Sequence, residues 1–131
     1  VKYKGNKMKM HKFPFTIAYA DTDAGGVVYH ARYIEIAERA RMNWQKSFGT
    51  EKHEVGFIVR SLSAKYMKPL RLGEDFVVET VATDIGNISL TVEQKFVKDG
   101  EIYAILVVKV AAVNMDLKPQ RIPDEYIKAI K

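Results

Sequence analysis

Between residues 28 and 48 the apolar side chains Tyr33, Ala37, Ala40, Trp44 and Phe48 recur at intervals of four, three, four and four. That spacing returns to one face of a 3.6-residue helix and predicts one long amphipathic α-helix. Arg32, Glu35, Glu38, Arg39 and Arg41 fill much of the remaining circumference, Glu35 stands four residues before Arg39 as a helix-surface pair, and Gly49 ends the run. Around this helix the chain reads as strands: residues 13–20 before it, then 57–67, 76–85, 88–98 and 102–114 after it. Pro69 and Gly73 separate the second strand from the third, and Asp99-Gly100 suits a tight hairpin turn, so the last two strands should be antiparallel neighbours. The stretch "AILVVKVAAV" is apolar on both faces, which places it at a sheet centre or a subunit interface. A short helix over residues 125–130 depends on docking. One apolar stripe and a run of antiparallel strands predict an α+β domain in which a sheet curves around the helix to cover it.

With 131 residues the chain is one domain's worth of sequence, and it holds no run long and apolar enough to cross a bilayer. Residues 1–131 read as a single domain, of which 1–12 form a flexible basic leader. The absence of cysteine excludes thiol catalysis, cysteine-based metal sites and disulfides. The net charge of +5 is spread along the chain without a basic stripe or basic-aromatic interleaving, so nucleic acid is not expected as a partner, while a phosphorylated small molecule suits the charge.

"YADTDAGGVVYH", residues 19–30, places two carboxylates and two glycines between the first strand and the helix. Asp, Thr and Gly are turn formers and Asp caps helices, so a turn alone accounts for the composition. A calcium loop of the EF-hand type would need an oxygen ligand, glycine and glutamate at its fifth, sixth and twelfth positions, where Gly25, Gly26 and Arg32 stand; it fails on two of the three. Aspartyl phosphoryl transfer would need a parallel α/β order that the chain lacks. Acyl transfer at a helix N-terminus fits better. The first turn of a helix carries unpaired N–H groups, and the helix dipole favours negative charge in front of them. A thioester under attack develops its charge on oxygen, so N–H groups from about Val28 to His30 would form an oxyanion hole, with Gly25 and Gly26 letting substrate approach the main chain. Asp23 would attack or activate water.

The pattern Y-x-D-T-D-x-x-G-V-V-Y-H-x-x-Y-x-x-x-x-E-R-A-R is met at Tyr19, Asp21, Thr22, Asp23, Gly26, Val27, Val28, Tyr29, His30, Tyr33, Glu38, Arg39, Ala40 and Arg41. It resembles the signature of the 4-hydroxybenzoyl-CoA thioesterase family of hot-dog proteins, and in particular its Tol-Pal-associated acyl-CoA thioesterase branch. "AKYMKPLRLGEDFVVET" is similar to the family's second-to-third-strand passage, so the resemblance covers most of residues 14 to 114. It implies a hot-dog fold, a homodimer or homotetramer with active sites between subunits, and hydrolysis of an acyl-CoA or acyl-carrier-protein thioester. It implies Asp23 as the catalytic acid, nucleophile or general base, and Tyr29 and His30 at the helix start where backbone N–H groups polarise the thioester carbonyl.

His30 is further expected to orient substrate or Asp23, whereas Asp21 and Glu38 take structural roles. His11 and His53 match no metal spacing, and neither metal nor redox cofactor is expected. Lys65, Lys68 and Arg71 are the candidates for coenzyme A phosphates. The connection Asp84, Ile85, Gly86, Asn87 lacks the basic residues that some relatives place there, which keeps carrier-protein thioesters open. Two rival readings of the sequence are dehydration of hydroxyacyl thioesters and a non-catalytic acyl-thioester binding or scaffold protein. The substrate class and the absence of an export signal lead to a cytoplasmic expectation.

Overall fold

The computed structural model of the chain describes residues 3–4, 8–49 and 54–131. Strands β1 (Tyr3–Lys4) and β2 (Met10–Thr16) precede a single 3-10 turn at Tyr19–Asp21 and the long helix α1 (His30–Lys46). Four strands follow, β3 (Gly56–Tyr66), β4 (Asp75–Ile85), β5 (Ser89–Lys98) and β6 (Glu101–Val113), and then a short helix α2 (Asp124–Ile130). All pairings are antiparallel, in the order β1-β4-β5-β6-β3, with β2 sharing the β4 edge with β1.

One face of this sheet carries Phe76, Val78, Thr80 and Ala82 from β4, Leu90, Val92, Gln94 and Phe96 from β5, and Ala104, Leu106, Val108 and Val110 from β6, all buried. Against it α1 buries Tyr33, Ile36, Ala37, Ala40 and Trp44, the stripe that the spacing predicts with Ile36 added. Burying such side chains is worth about 1.5–3 kcal/mol for each large one, which holds a helix that its own propensity would not. The polar exceptions are tied together. Gln94, fully buried, donates to the Ala37 carbonyl (2.9 Å) and Thr80 Oγ1 (3.1 Å) and accepts from Arg41 (2.9 Å), joining helix to sheet through three strong partners. Burial pushes the Arg41 guanidinium below its ordinary value, against the opposing charge of Glu38.

The structure departs from the sequence reading at the ends of elements. β2 begins at Met10, so the chain is in the sheet within the expected leader, and residues 3–4 also pair with β4; residues 1–2 and 5–7 lie outside the described residues. The strand ends at Thr16 because Asp21 Oδ2 accepts the Ala18 N–H (2.9 Å) and curls residues 18–21 into a turn. Helix α1 starts two residues later than expected, since Val27 bridges to Arg71 and Val28 to Thr22 in extended backbone. The Asp99-Gly100 hairpin forms as expected, with φ of 50° and 75° at its two turn residues. β6 does lie inside the sheet, between β5 and β3, yet its outer row is only partly covered, with Ile105 half-buried and Val107 38% exposed. Among the described residues β3 is an edge strand, paired with β6 alone, and α2 docks through Tyr126 and Ile130, Tyr126 lying against Phe48 and Phe57.

Candidate active site

The acidic turn is built by its own hydrogen bonds. Asp23 Oδ1 accepts the N–H groups of Gly25 (2.8 Å) and Val27 (3.3 Å), while the Gly26 N–H returns to the Asp23 carbonyl (3.0 Å). Gly26 sits at φ +77°, a conformation that side-chain-bearing residues adopt at a cost. The second carboxylate oxygen of Asp23 has no hydrogen-bond partner among the described residues, and the side chain is exposed. It opens on a cavity of about 270 Å³ that Asp21, Thr22, Tyr29, Arg32 and Glu35 also line.

Asp21 has the structural role expected of it. Buried, it accepts Ala18 N–H and, through Oδ1, Arg32 Nε at 2.9 Å. Arg32 also donates to the Ala20 carbonyl (2.8 Å) and to Glu35 (2.5 Å), so it clamps the acidic turn onto the first turn of α1. Glu35 is therefore paired with Arg32, three residues before it, in place of the expected Arg39.

The helix start narrows the set of available amides. The Val28 N–H is given to the Leu70 carbonyl (2.9 Å), which corrects its expected place among the oxyanion donors, because residues 27–28 are held in extended backbone against the segment after β3. The Tyr29 N–H makes a long bond to the Asp21 carbonyl (3.4 Å). Among the described residues the N–H groups of His30 and Ala31, the first two of the helix, have no partner, as the first turn of a helix leaves them.

On the other side of the helix start, His30, Val28, Tyr33, Tyr66 and Lys68 line a cavity of about 250 Å³. The exposed His30 ring lies 4.5 Å from Tyr29 and 6.5 Å from Tyr66. Asp23 and Tyr29 thus share one cavity and His30 lines another. Of the three candidate phosphate ligands, Lys68 lines the His30 cavity but is paired with Glu101, which raises its ammonium above the ordinary lysine range. Lys65 follows in β3 with its side chain on the opposite face from Tyr66, and Arg71 is exposed beside Val27. His11 bonds Asn43 (2.8 Å), and His53 lies outside the described residues. Among the described residues no three His, Asp or Glu side chains gather as a metal site.

Tyr66, Tyr33 and Arg32 were not singled out from the sequence as site residues. Tyr66 donates to the His30 carbonyl (2.9 Å), and the Tyr33 hydroxyl accepts the Leu70 N–H (3.1 Å). The matches to Tyr33 in the signature and to Tyr66 in the second-strand passage were the available signals.

Comparison with known proteins places the chain in a family. Residues 17–130 match the thioesterase-like superfamily. The chain is 34% identical to the acyl-CoA thioesterase YbgC of Haemophilus influenzae over 120 residues, covering 86% of this chain and 88% of the relative. It is 32% identical to the acyl-CoA thioester hydrolase YbgC of Escherichia coli, covering 93% and 96%. Among solved structures, a probable thioesterase from Bartonella henselae superposes with a TM-score of 0.81 at 27% identity, over 88% of this chain and all of that one. A hypothetical protein from Aquifex aeolicus shares the fold at a TM-score of 0.85 and 22% identity, over 92% of this chain and 99% of that one. The curved antiparallel sheet around α1 is the hot-dog fold, and the chain belongs to the thioesterase-like superfamily as a thioester hydrolase.

Proposed function

We propose that the protein hydrolyses acyl-CoA thioesters at the start of α1, with Asp23 as nucleophile or general base and the His30 and Ala31 N–H groups as the oxyanion hole. The observation that carries the reading is the pairing of an unengaged carboxylate oxygen with two unpartnered amides at one strand-to-helix junction. In direct attack, Asp23 Oδ2 bonds to the thioester carbon, the carbonyl oxygen takes the negative charge, and the C–S bond breaks to release the thiolate. Water then cleaves the acyl-aspartyl anhydride. In the water-activated course, Asp23 removes a proton from water as the hydroxide attacks, and that proton reaches the departing sulfur. Both courses load charge on the same oxygen, and each oxyanion donor there is worth about 10²–10³ in rate.

Tyr29 and His30 flank the reacting carbonyl from opposite sides, and Gly26 and the Val28 side chain border its approach. Lys65, Lys68 and Arg71 are assigned to coenzyme A phosphates, and no metal or redox cofactor is required. The acyl-CoA names of the curated relatives and the signature spacing support the substrate class and the Tol-Pal-associated branch. The reaction site is completed by a second copy of the chain. Supporting this, β3 leaves one edge unpaired and exposes Ile58 (43%) and Val59 (49%) beside it. A cytoplasmic location follows from the substrate class, and no helix among the described residues is long and apolar enough to cross a membrane.

Asp23→Asn tests the assignment. The asparagine oxygen still accepts the Gly25 and Val27 N–H groups, so the turn survives, while the negative charge is lost. Thiol release from a panel of short, long and aromatic acyl-CoA substrates should fall by about 10²–10⁴-fold, the range of acid-base catalysis. Undiminished release, enoyl product in place of free thiol, or binding of ligand without any release by the wild type would overturn it.

A further inference from the structure

Tyr66 is the last residue of β3, across from Ala104 of β6, and its hydroxyl reaches over to α1 to donate to the His30 carbonyl at 2.9 Å. That carbonyl already receives the Ile34 N–H by the regular helix ladder, so the Tyr66 bond is an addition to a satisfied acceptor and is not needed to cap the helix. The ring is fixed by its neighbours: its edge meets Tyr33 at 5.1 Å and 68°, and His30 at 6.5 Å and 81°. Tyr33 is itself anchored to the Leu70 N–H, and the Leu70 carbonyl takes the Val28 N–H, so residues 66–70 strap the helix start at three points.

The carbonyl that Tyr66 grips belongs to the same planar peptide unit as the Ala31 N–H, since the amide plane joins the carbonyl of one residue to the nitrogen of the next. Ala31 is one of the two unpartnered donors at the helix start. Holding one end of that plane sets the direction in which the other end points. A hydrogen bond received at the carbonyl also polarises the amide and strengthens its N–H as a donor. From this geometry we infer that Tyr66 is a positioning residue for thioester hydrolysis, acting through the His30–Ala31 peptide to aim and polarise the Ala31 N–H at the oxyanion. The inference rests on the proposed oxyanion site and goes beyond it by naming a residue on a different strand that controls one of its donors. Burial raises the Tyr66 phenol above its usual value, so the hydroxyl stays a donor throughout neutral pH.

Tyr66→Phe removes one oxygen and keeps the ring contacts with Tyr33 and His30. The effect is expected in kcat, which should fall about tenfold, less than the 10²–10³-fold that accompanies loss of an oxyanion donor itself, with KM for acyl-CoA unchanged within about twofold. A second measurement separates polarisation from packing: fluorotyrosines placed at position 66 make the phenol a stronger donor with little change of shape. Assayed below the pH at which each fluorophenol ionises, kcat should rise with fluorination. Unchanged kcat in Tyr66→Phe, a loss confined to KM, or kcat indifferent to fluorination would overturn the inference. Wild-type hydrolysis that is lost in Asp23→Asn would leave the site assignment standing through any of those results, so the two readings fail separately.

Discussion

The two ends of α1 are finished in opposite ways. At its C-terminus the Ser47 hydroxyl donates to the Trp44 carbonyl (2.5 Å), Phe48 is buried, and its ring meets Trp44 at 5.0 Å and Tyr126 of α2 at 5.7 Å. At its N-terminus, among the described residues, no side chain caps the helix and two amides stay unpartnered, and Tyr29 is 53% exposed. An uncapped end forfeits about 0.5–2 kcal/mol relative to a good cap. The chain carries Asp21 and Asp23 just ahead of that end, yet spends Asp21 on Ala18 and Arg32 and one oxygen of Asp23 on the turn. One end is closed by side-chain packing, and the other keeps two unpartnered amides where the proposed oxyanion would sit.

Substitutions at the two ends should therefore separate rate from stability. The largest effect belongs to the open end, where Asp23→Asn abolishes most turnover while its unfolding midpoint matches the wild type. At the closed end, Phe48→Ala should cost about 3–5 kcal/mol, read by urea denaturation, with kcat of the folded protein preserved. If Phe48→Ala removed turnover without loss of stability, the contrast would break.

Arg32→Met falls between these, because it removes the clamp on the acidic turn and leaves the buried Asp21 carboxylate short of one partner. It should lower the melting midpoint and kcat together, by circular-dichroism melting and thiol release. The smallest effect is a pH dependence. Burial raises the Tyr33 and Tyr66 phenols, so in the folded state they hold their protons beyond the point where the unfolded chain releases them. Above about pH 10 the unfolded chain then binds fewer protons than the folded one, so stability is full below that pH and declines as pH rises through the folded values. Tyr33→Phe should flatten part of that decline in urea midpoints taken across the alkaline range.

Much of the frame was legible because it is periodic. The stripe from Tyr33 to Trp44 gave α1, alternation gave β4 and β5 to within a residue, and Asp99-Gly100 gave the last hairpin, since each signal is local. β2 was harder to read. Pro14 and the short alternation from Met10 say little by themselves, and the strand exists because it pairs with β4, 59 to 71 residues away. Gln94 is polar yet buried, which only the folded chain allows, because Arg41, Thr80 and the Ala37 carbonyl satisfy its amide. For the proposed site, the acidic turn and its glycines point to Asp23 and the helix start. Which amides stay free was not readable, because the Val28 N–H is claimed by Leu70, and only the folded chain brings that carbonyl within reach.

The most direct test observes those amides. Titration of isotope-labelled protein with a CoA trifluoromethyl ketone, whose hydrate imitates the charged intermediate, can be followed by amide nuclear magnetic resonance. The account predicts the dominant shifts at His30 and Ala31, lost in Asp23→Asn or sharply reduced. Shifts confined to the second half of α1, around Trp44 and Phe48, with His30 and Ala31 unmoved, would contradict it.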